Sequence, residues 1–182
     1  MSTALNDLAG TFTIDPQHSR MGLVARHAMV TKVRGSFNDF EGSVSTEAGL
    51  TNTEIAVTIQ VSSIDTRNAD RDGHLRTGDF FDAETHPTMT FASTEVTAVD
   101  DETLRVAGDL TIKGVVKPVV IDFEYAGSAT DPYGNVRVGF EGSTSILRSD
   151  FGMMFNAALE TGGVLVSDKI TVEIEISAIK NA

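Results

Sequence analysis

Residues Asn68 to Asp79, NADRDGHLRTGD, place Asn68, Asp70 and Asp72 at alternate positions, with Gly73 directly behind them. Oxygen donors at loop positions one, three and five, a glycine at six and an acid at twelve are what a calcium loop requires. Two positions depart from that pattern in kind: Asn68 is uncharged, and Asp79 is one methylene shorter than the glutamate that reaches around the ion. Four histidines, His18, His27, His74 and His86, offer imidazoles for acid–base work or zinc, but no two have the spacing of a zinc motif. There is no cysteine, which removes disulfides and thiolate ligation. The chain also lacks a G-x-S-x-G turn for a serine nucleophile, and Gly162-Gly163 lacks the strand-to-helix setting of a phosphate cradle. Enzyme chemistry therefore has no specific signal in these residues.

Composition bounds what must position them. With 182 residues, 41% hydrophobic and 22% charged, the chain reads as one globular domain over 1–182, with 1–10 as a flexible lead-in. Fourteen basic against 26 acidic residues give a net charge of −12, which repels phosphate backbones and anionic lipid and argues against nucleic-acid partners. No run approaches the length of a transmembrane helix. The start, MSTALNDLAGTF, has no basic region and no apolar run of signal-peptide length, so the expected location is the cytoplasm.

Period-two alternation dominates the rest. It is clearest in Ile55, Val57, Ile59, Val61, and recurs over Leu104–Ile112, Val119–Tyr125, Val136–Phe140 and Ile170–Ile176. Weaker patterns lie in SRMGLVARHA, GSFNDFEGSVST and TMTFASTEVTAV, making eight candidate strands. Turn signals such as Lys113-Gly114 and Asp131-Pro132-Tyr133-Gly134-Asn135 separate several of them at short spacing, which favours an antiparallel meander. Long strands with one apolar face either stack as two sheets or curl into a barrel, whose closure removes exposed edges. Only Asp65–Asp82 and Phe151–Gly163 break the alternation, and both read as one or two helical turns over a barrel mouth. A strand-periodic segment precedes the NADRDG stretch and Pro87 follows it, so the flanking helices of a calcium loop are missing. The expectation there is a short helix, N-capped by Asp65 or Asn68, with Asp70 and Asp72 near its positive end.

Apolar side chains give a second clue. Phe80, Phe81, Met89, Phe91, Phe151, Met153, Met154 and Phe155 gather in or beside the two aperiodic segments. Methionine adapts to irregular partners, which suits a flexible apolar ligand as well as a closed core.

An ordered set of short motifs resembles the YceI-like family, lipocalin-like polyisoprenoid-binding proteins of bacteria. It comprises DPQHS at 15–19, GSFNDFEG at 35–42, RDGHLR at 71–76 with DFFD at 79–82, and Pro87 with FAS at 91–93. GDLTIKG at 108–114, Lys117-Pro118 and RSDFG at 148–152 complete it. The resemblance implies an all-β fold, an eight-stranded antiparallel lipocalin-like barrel with short helical lid segments, around a tunnel for an isoprenoid chain. It implies a polyprenyl or quinone-type amphiphile as partner, no required cofactor, no metal and a homodimer; related proteins are often exported. Met21, Leu23, Phe37, Phe80, Phe81, Met89, Phe91, Phe140, Phe151, Met153, Met154 and Phe155 are the candidate ligand-lining residues. Arg20, Arg26, His27 and Arg148 are the candidate head-group anchors. The function so read is binding, sequestration or transport of such a lipid, without catalysis. Two other readings stand beside it: a hydrolase or isomerase using a histidine with an acidic partner at the barrel mouth, and a structural homodimer with a filled core.

Overall fold

In the computed structural model, which describes residues 3–159 and 163–182, the alternating segments form eleven strands of one antiparallel sheet. They are β1 (Gly10–Ile14), β2 (Arg20–His27), β3 (Thr31–Phe37), β4 (Phe40–Glu47), β5 (Thr51–Gln60) and β6 (Ile64–Asp65), followed by β7 (Thr88–Ala98), β8 (Thr103–Ile112), β9 (Val115–Thr130), β10 (Val136–Leu147) and β11 (Lys169–Lys180). β1 and β2 lie end to end along β11, pairing Ile14 with Ala178 and Arg20 with Glu175. β3 continues into β4 beside them, and β5 into β6 beside those. Counting each interrupted pair as one stave, eight staves run up and down in chain order, and the β1–β11 pairing closes the barrel. At this strand number the interior is just wide enough to be filled by side chains or to hold one small ligand.

β1 carries only Phe12 and Ile14 inward, too short a stretch for its alternation to stand out in sequence, and it adds the first half-stave to the expected set. Of the expected flexible lead-in over 1–10, the described residues 3–10 are packed onto the barrel. Leu5 and Leu8 are buried against Phe12, Leu50 and Leu104 at one barrel end, because the 3-10 turn Leu5–Asp7 brings both leucines inward. Tyr125 donates its hydroxyl to the Thr3 carbonyl (2.7 Å) and fixes that turn on β9.

Close to the same end, Arg137 donates to Asp15 (2.7 Å) and Asp131 (2.8 Å), joining the β1–β2 break to the β9–β10 turn. The guanidinium holds the Asp131 carboxyl well below the usual carboxylate range, helped by the Asn135 and Tyr133 amides, and it likewise lowers Asp15. Both folded-state values are depressed, so this contribution is fully present above the unfolded carboxylate value of about 3.9 and is lost as pH falls below it. A urea midpoint measured against pH is therefore expected to fall on acidification below about pH 4, and less steeply in Arg137→Met. Equal slopes in the two proteins would show that the triad contributes nothing.

The opposite end is covered by the two aperiodic segments. The first forms α1 (Ala69–Leu75), capped by Asn68, whose side-chain oxygen accepts the Arg71 amide at 3.0 Å. Asp72 is buried and accepts hydrogen bonds from the Thr66 amide and hydroxyl. Of the oxygens that suggested a calcium loop, that of Asn68 is thus committed to capping α1 and that of Asp72 to Thr66, the residue following β6. The second segment differs from the expected helix: a 3-10 turn covers Arg148–Phe151, and the chain from 153 to 159 is irregular apart from a single bridge of Ala158 to Val164. Of Phe151–Gly163, residues 160–162 lie outside the described residues.

Candidate functional site

The barrel interior is open. Ile55, Val57, Ile59, Leu110, Phe123, Phe140, Ile146, Val172, Ile174 and Ile176 point inward, yet each is only half-buried, because the barrel encloses a cavity of about 220 Å³. Close-packed cores seldom hold voids larger than a water molecule. The cavity reaches from Leu8 and Leu50 at the N-terminal end to Phe81 and Met153 under the lids.

Its wall is apolar throughout. Among the described residues Thr46, Thr53 and Thr144 are the only hydroxyl-bearing side chains on it, and their oxygens are turned to other partners. Thr46 and Thr53 bond each other (2.6 Å), Thr53 donates to the Leu50 carbonyl (2.7 Å), and Thr144 donates to the Val120 carbonyl (3.2 Å). A ligand in this space meets methyl groups and ring faces, and any polar head it carries stays at the rim.

Two interior glycines keep the lumen clear. A Cβ on Gly108 would collide with the Phe91 ring and lie 2.6 Å from the Ala92 carbonyl oxygen. One on Gly142 would lie 2.7 Å from the Phe123 ring and 2.9 Å from the Asp122 carbonyl. Each ring therefore lies along the wall over its neighbour's glycine instead of projecting across the lumen.

Of the expected lining residues, Met21, Leu23, Phe37, Phe81, Met89, Phe91, Phe140 and Met153 face the cavity. Phe80 and Phe151 are buried in the lid-end core behind it, and Phe155 packs on Phe80 with ring centroids 5.3 Å apart. Met154 is corrected: Met153 beside it is buried under the lid, whereas Met154 turns outward and is 69% exposed. The aliphatic wall of β5, β8, β10 and β11 also lines the cavity and was not among the expected residues, since its alternation reads equally well as packed core.

The anchor assignments change more. Arg20 and Arg26 share the phase of Gly22 and Val24 on β2, opposite to inward Met21 and Leu23, so both lie outside the barrel. Arg20 approaches Glu173 on the outer wall (3.9 Å), and Arg26 is exposed. His27 is exposed at the end of β2, where the backbone bridges Val166. Arg148 is 5% exposed and points into the lid. Its guanidinium donates to the carbonyls of Met153 (2.7 Å), Ser167 (2.9 Å) and Val166 (3.3 Å), and lies 5.9 Å from the Phe80 ring centroid. Burial lowers its pKa from the ordinary value, with Asp168 opposing, but a guanidinium keeps its charge in a protein. Arg148 clamps the second lid; its donors are taken by the lid's own backbone.

Among the described residues there are two histidine–carboxylate pairs. His18 Nδ1 lies 2.8 Å from Asp15, and His74 Nε2 lies 2.8 Å from Asp79. Neither histidine lines the cavity. His74 instead stacks edge-on between Phe80 (5.1 Å) and Phe155 (4.8 Å), joining the two lids.

The model of the YceI-like domain matches residues 12–178, which takes in every stave and both lids. The chain belongs to the YceI-like domain family. A UPF0312 protein of Pseudomonas aeruginosa (strain LESB58) is 41% identical over 154 residues, spanning 83% of this chain and 80% of that protein. The crystal structure of Burkholderia cenocepacia BcnA superposes with a TM-score of 0.79 at 25% identity, covering 90% of this chain and 98% of that one. A polyisoprenoid binding domain from Saccharophagus degradans, implicated in plant cell wall breakdown, superposes with a TM-score of 0.73. It covers 93% of this chain and 98% of that chain, and at 17% identity the likeness is one of fold. Within this YceI-like fold, the motifs around Gly108 and Arg148 hold the interior glycine and the lid clamp described above.

Proposed function

We propose that this YceI-like protein binds the apolar chain of an isoprenoid-type lipid in the barrel cavity, and sequesters or carries it without chemical turnover. The observation that carries this reading is the inward row of half-buried aliphatic and aromatic side chains around a space with no free polar group. Burying 100 Å² of prenyl surface there is worth about 2.5 kcal/mol, so a few isoprene units give useful affinity. With the wall hydroxyls of the described residues all engaged by protein partners, selectivity rests on the width and shape of the chain. The polyisoprenoid-binding description of the Saccharophagus degradans fold relative supports the same class of cargo. The histidine–carboxylate pairs lie away from the cavity wall, which disfavours turnover of a lipid held in it.

The test is mass spectrometry of the protein purified from its own host, under gentle and denaturing conditions, with identification of organic extracts. A stoichiometric prenyl lipid or quinone is the expected result. A clean apo mass, together with no thermal shift on adding a prenol to that apo protein, overturns the proposal.

A further inference from the structure

The molecule is acidic as a whole, but its charge is unevenly placed. Residues 16–38 hold four of the chain's 14 basic residues and none of its 26 acidic ones. They form the β2–β3 hairpin, and cross-strand register sets Arg26 opposite Lys32 and Val24 opposite Arg34. By strand alternation Arg20, Arg26, Lys32 and Arg34 therefore share one outward face. Arg26, Lys32 and Arg34 are exposed, and among the described residues none of their side chains has an ion-pair partner. Like charges set opposite one another across strands repel, so this face is not arranged for the stability of the hairpin itself.

The hairpin also rises past the rim. β3 is paired on its far side only at Ser36 and Phe37, leaving Thr31–Gly35 as a free edge. The tip is apolar: Met29 is 60% exposed and Val30 74% exposed. Ala28 and Met29 hold positive φ angles of 52° and 65°, positions of a tight hairpin turn usually given to asparagine or glycine. Two non-glycine residues accept left-handed backbone there, and the turn presents a methionine and a valine to solvent. Met29 also lies against Gly163 of the second lid, beside exposed Val164.

We infer that the β2–β3 hairpin docks on an anionic phospholipid bilayer, its Met29–Val30 tip entering the interface and Arg26, Lys32 and Arg34 pairing with lipid phosphates. Apolar tips flanked by cations suit such a surface, each cation near it strengthening adsorption about fivefold. The α1 side of the rim, residues 65–84, carries six acidic residues against three arginines, Arg67, Arg71 and Arg76, whereas the charged residues of the hairpin are all basic, so the hairpin side meets the membrane and the α1 side tilts away. The net charge of −12 opposes adsorption of the molecule as a whole, and a local basic face overcomes it within a Debye length. The purpose of docking rests on the lipid-carrier reading, since a bilayer is where such a cargo dissolves; the surface itself does not depend on the cavity.

The experiment is sedimentation of the full chain with phosphatidylcholine vesicles, with and without phosphatidylglycerol. Binding is expected only with phosphatidylglycerol and is expected to fall with added salt. Lys32→Gln with Arg34→Gln is expected to weaken it about fivefold per charge, and Met29→Ser with Val30→Ser to reduce it severalfold at low salt. Displacement of a fluorescent prenyl probe, measured on every variant, reports the cavity separately. Unchanged probe binding with lost sedimentation supports the docking face, whereas loss of probe binding alone strikes the carrier reading. Absence of sedimentation with either vesicle, or equal binding by wild type and both variants, overturns the docking inference. So does conversion of a dimer to a monomer by Met29→Ser, seen by light scattering, because the tip would then be an interface between copies.

Discussion

Arg148→Ala is expected to lower the melting temperature by about 10 °C, taking roughly 3 kcal/mol for a buried charged hydrogen-bond cluster and 2–4 °C per kcal/mol at this chain length. Alanine would leave the Met153, Ser167 and Val166 carbonyls without their shared donor in a site that is mostly closed to water. It would also remove the cation from the Phe80 ring face. The loss should spread along the lid, since Met153 donates its amide to the Arg148 carbonyl (3.1 Å) and Ala28 donates to Leu165 (2.7 Å). Hydrogen exchange is therefore expected to quicken at Met153, Leu165 and Ala28 while the β8 and β9 amides keep their protection. Arg148→Lys should not restore it, because one ammonium cannot span three carbonyls set around a planar fork. A melting temperature within a degree or two of wild type would remove Arg148 from its role as clamp.

What could be read from the sequence divides along physical lines. The staves were legible because a strand with one buried face must alternate, and β5, β8 and β11 do so over ten or more residues. β1 was not, with two inward residues, nor was the outer half of β3, where Thr31–Arg34 faces solvent on much of its surface. The α1 cap was legible from Asn68, since its side chain satisfies a helix-terminal amide locally. The anchors were misplaced although the information was present: Arg20 and Arg26 differ in phase from Met21 and Leu23, so one stave cannot turn all four inward. Arg148 lies beyond the end of β10, where strand phase no longer applies and only the folded lid shows what its guanidinium meets. Open cavity and filled barrel were indistinguishable because alternation fixes which residues face inward, not how much room remains. That room depends on paired choices in neighbouring strands, Phe91 over Gly108 and Phe123 over Gly142, which only the register reveals.

Val57→Trp tests that open space most sharply, because a cavity and a packed core give opposite signs. Val57 sits opposite Phe91 on β7 and Gly42 on β4, half-buried on the cavity wall between the two core clusters. An indole there extends into the lumen. In an open barrel it fills empty space, which commonly adds about 0.5–2 kcal/mol of stability. The same ring takes the volume a prenyl chain would occupy, so affinity for a prenol is expected to fall by at least about tenfold, the equivalent of 1.4 kcal/mol. The expected pair of results is a melting temperature held or raised and titration of a fluorescent prenyl probe weakened or abolished. In a filled core the same change would overpack the site and cost about 1–3 kcal/mol. A fall in melting temperature with probe affinity unchanged would therefore move the binding site out of the barrel, whatever the lids do.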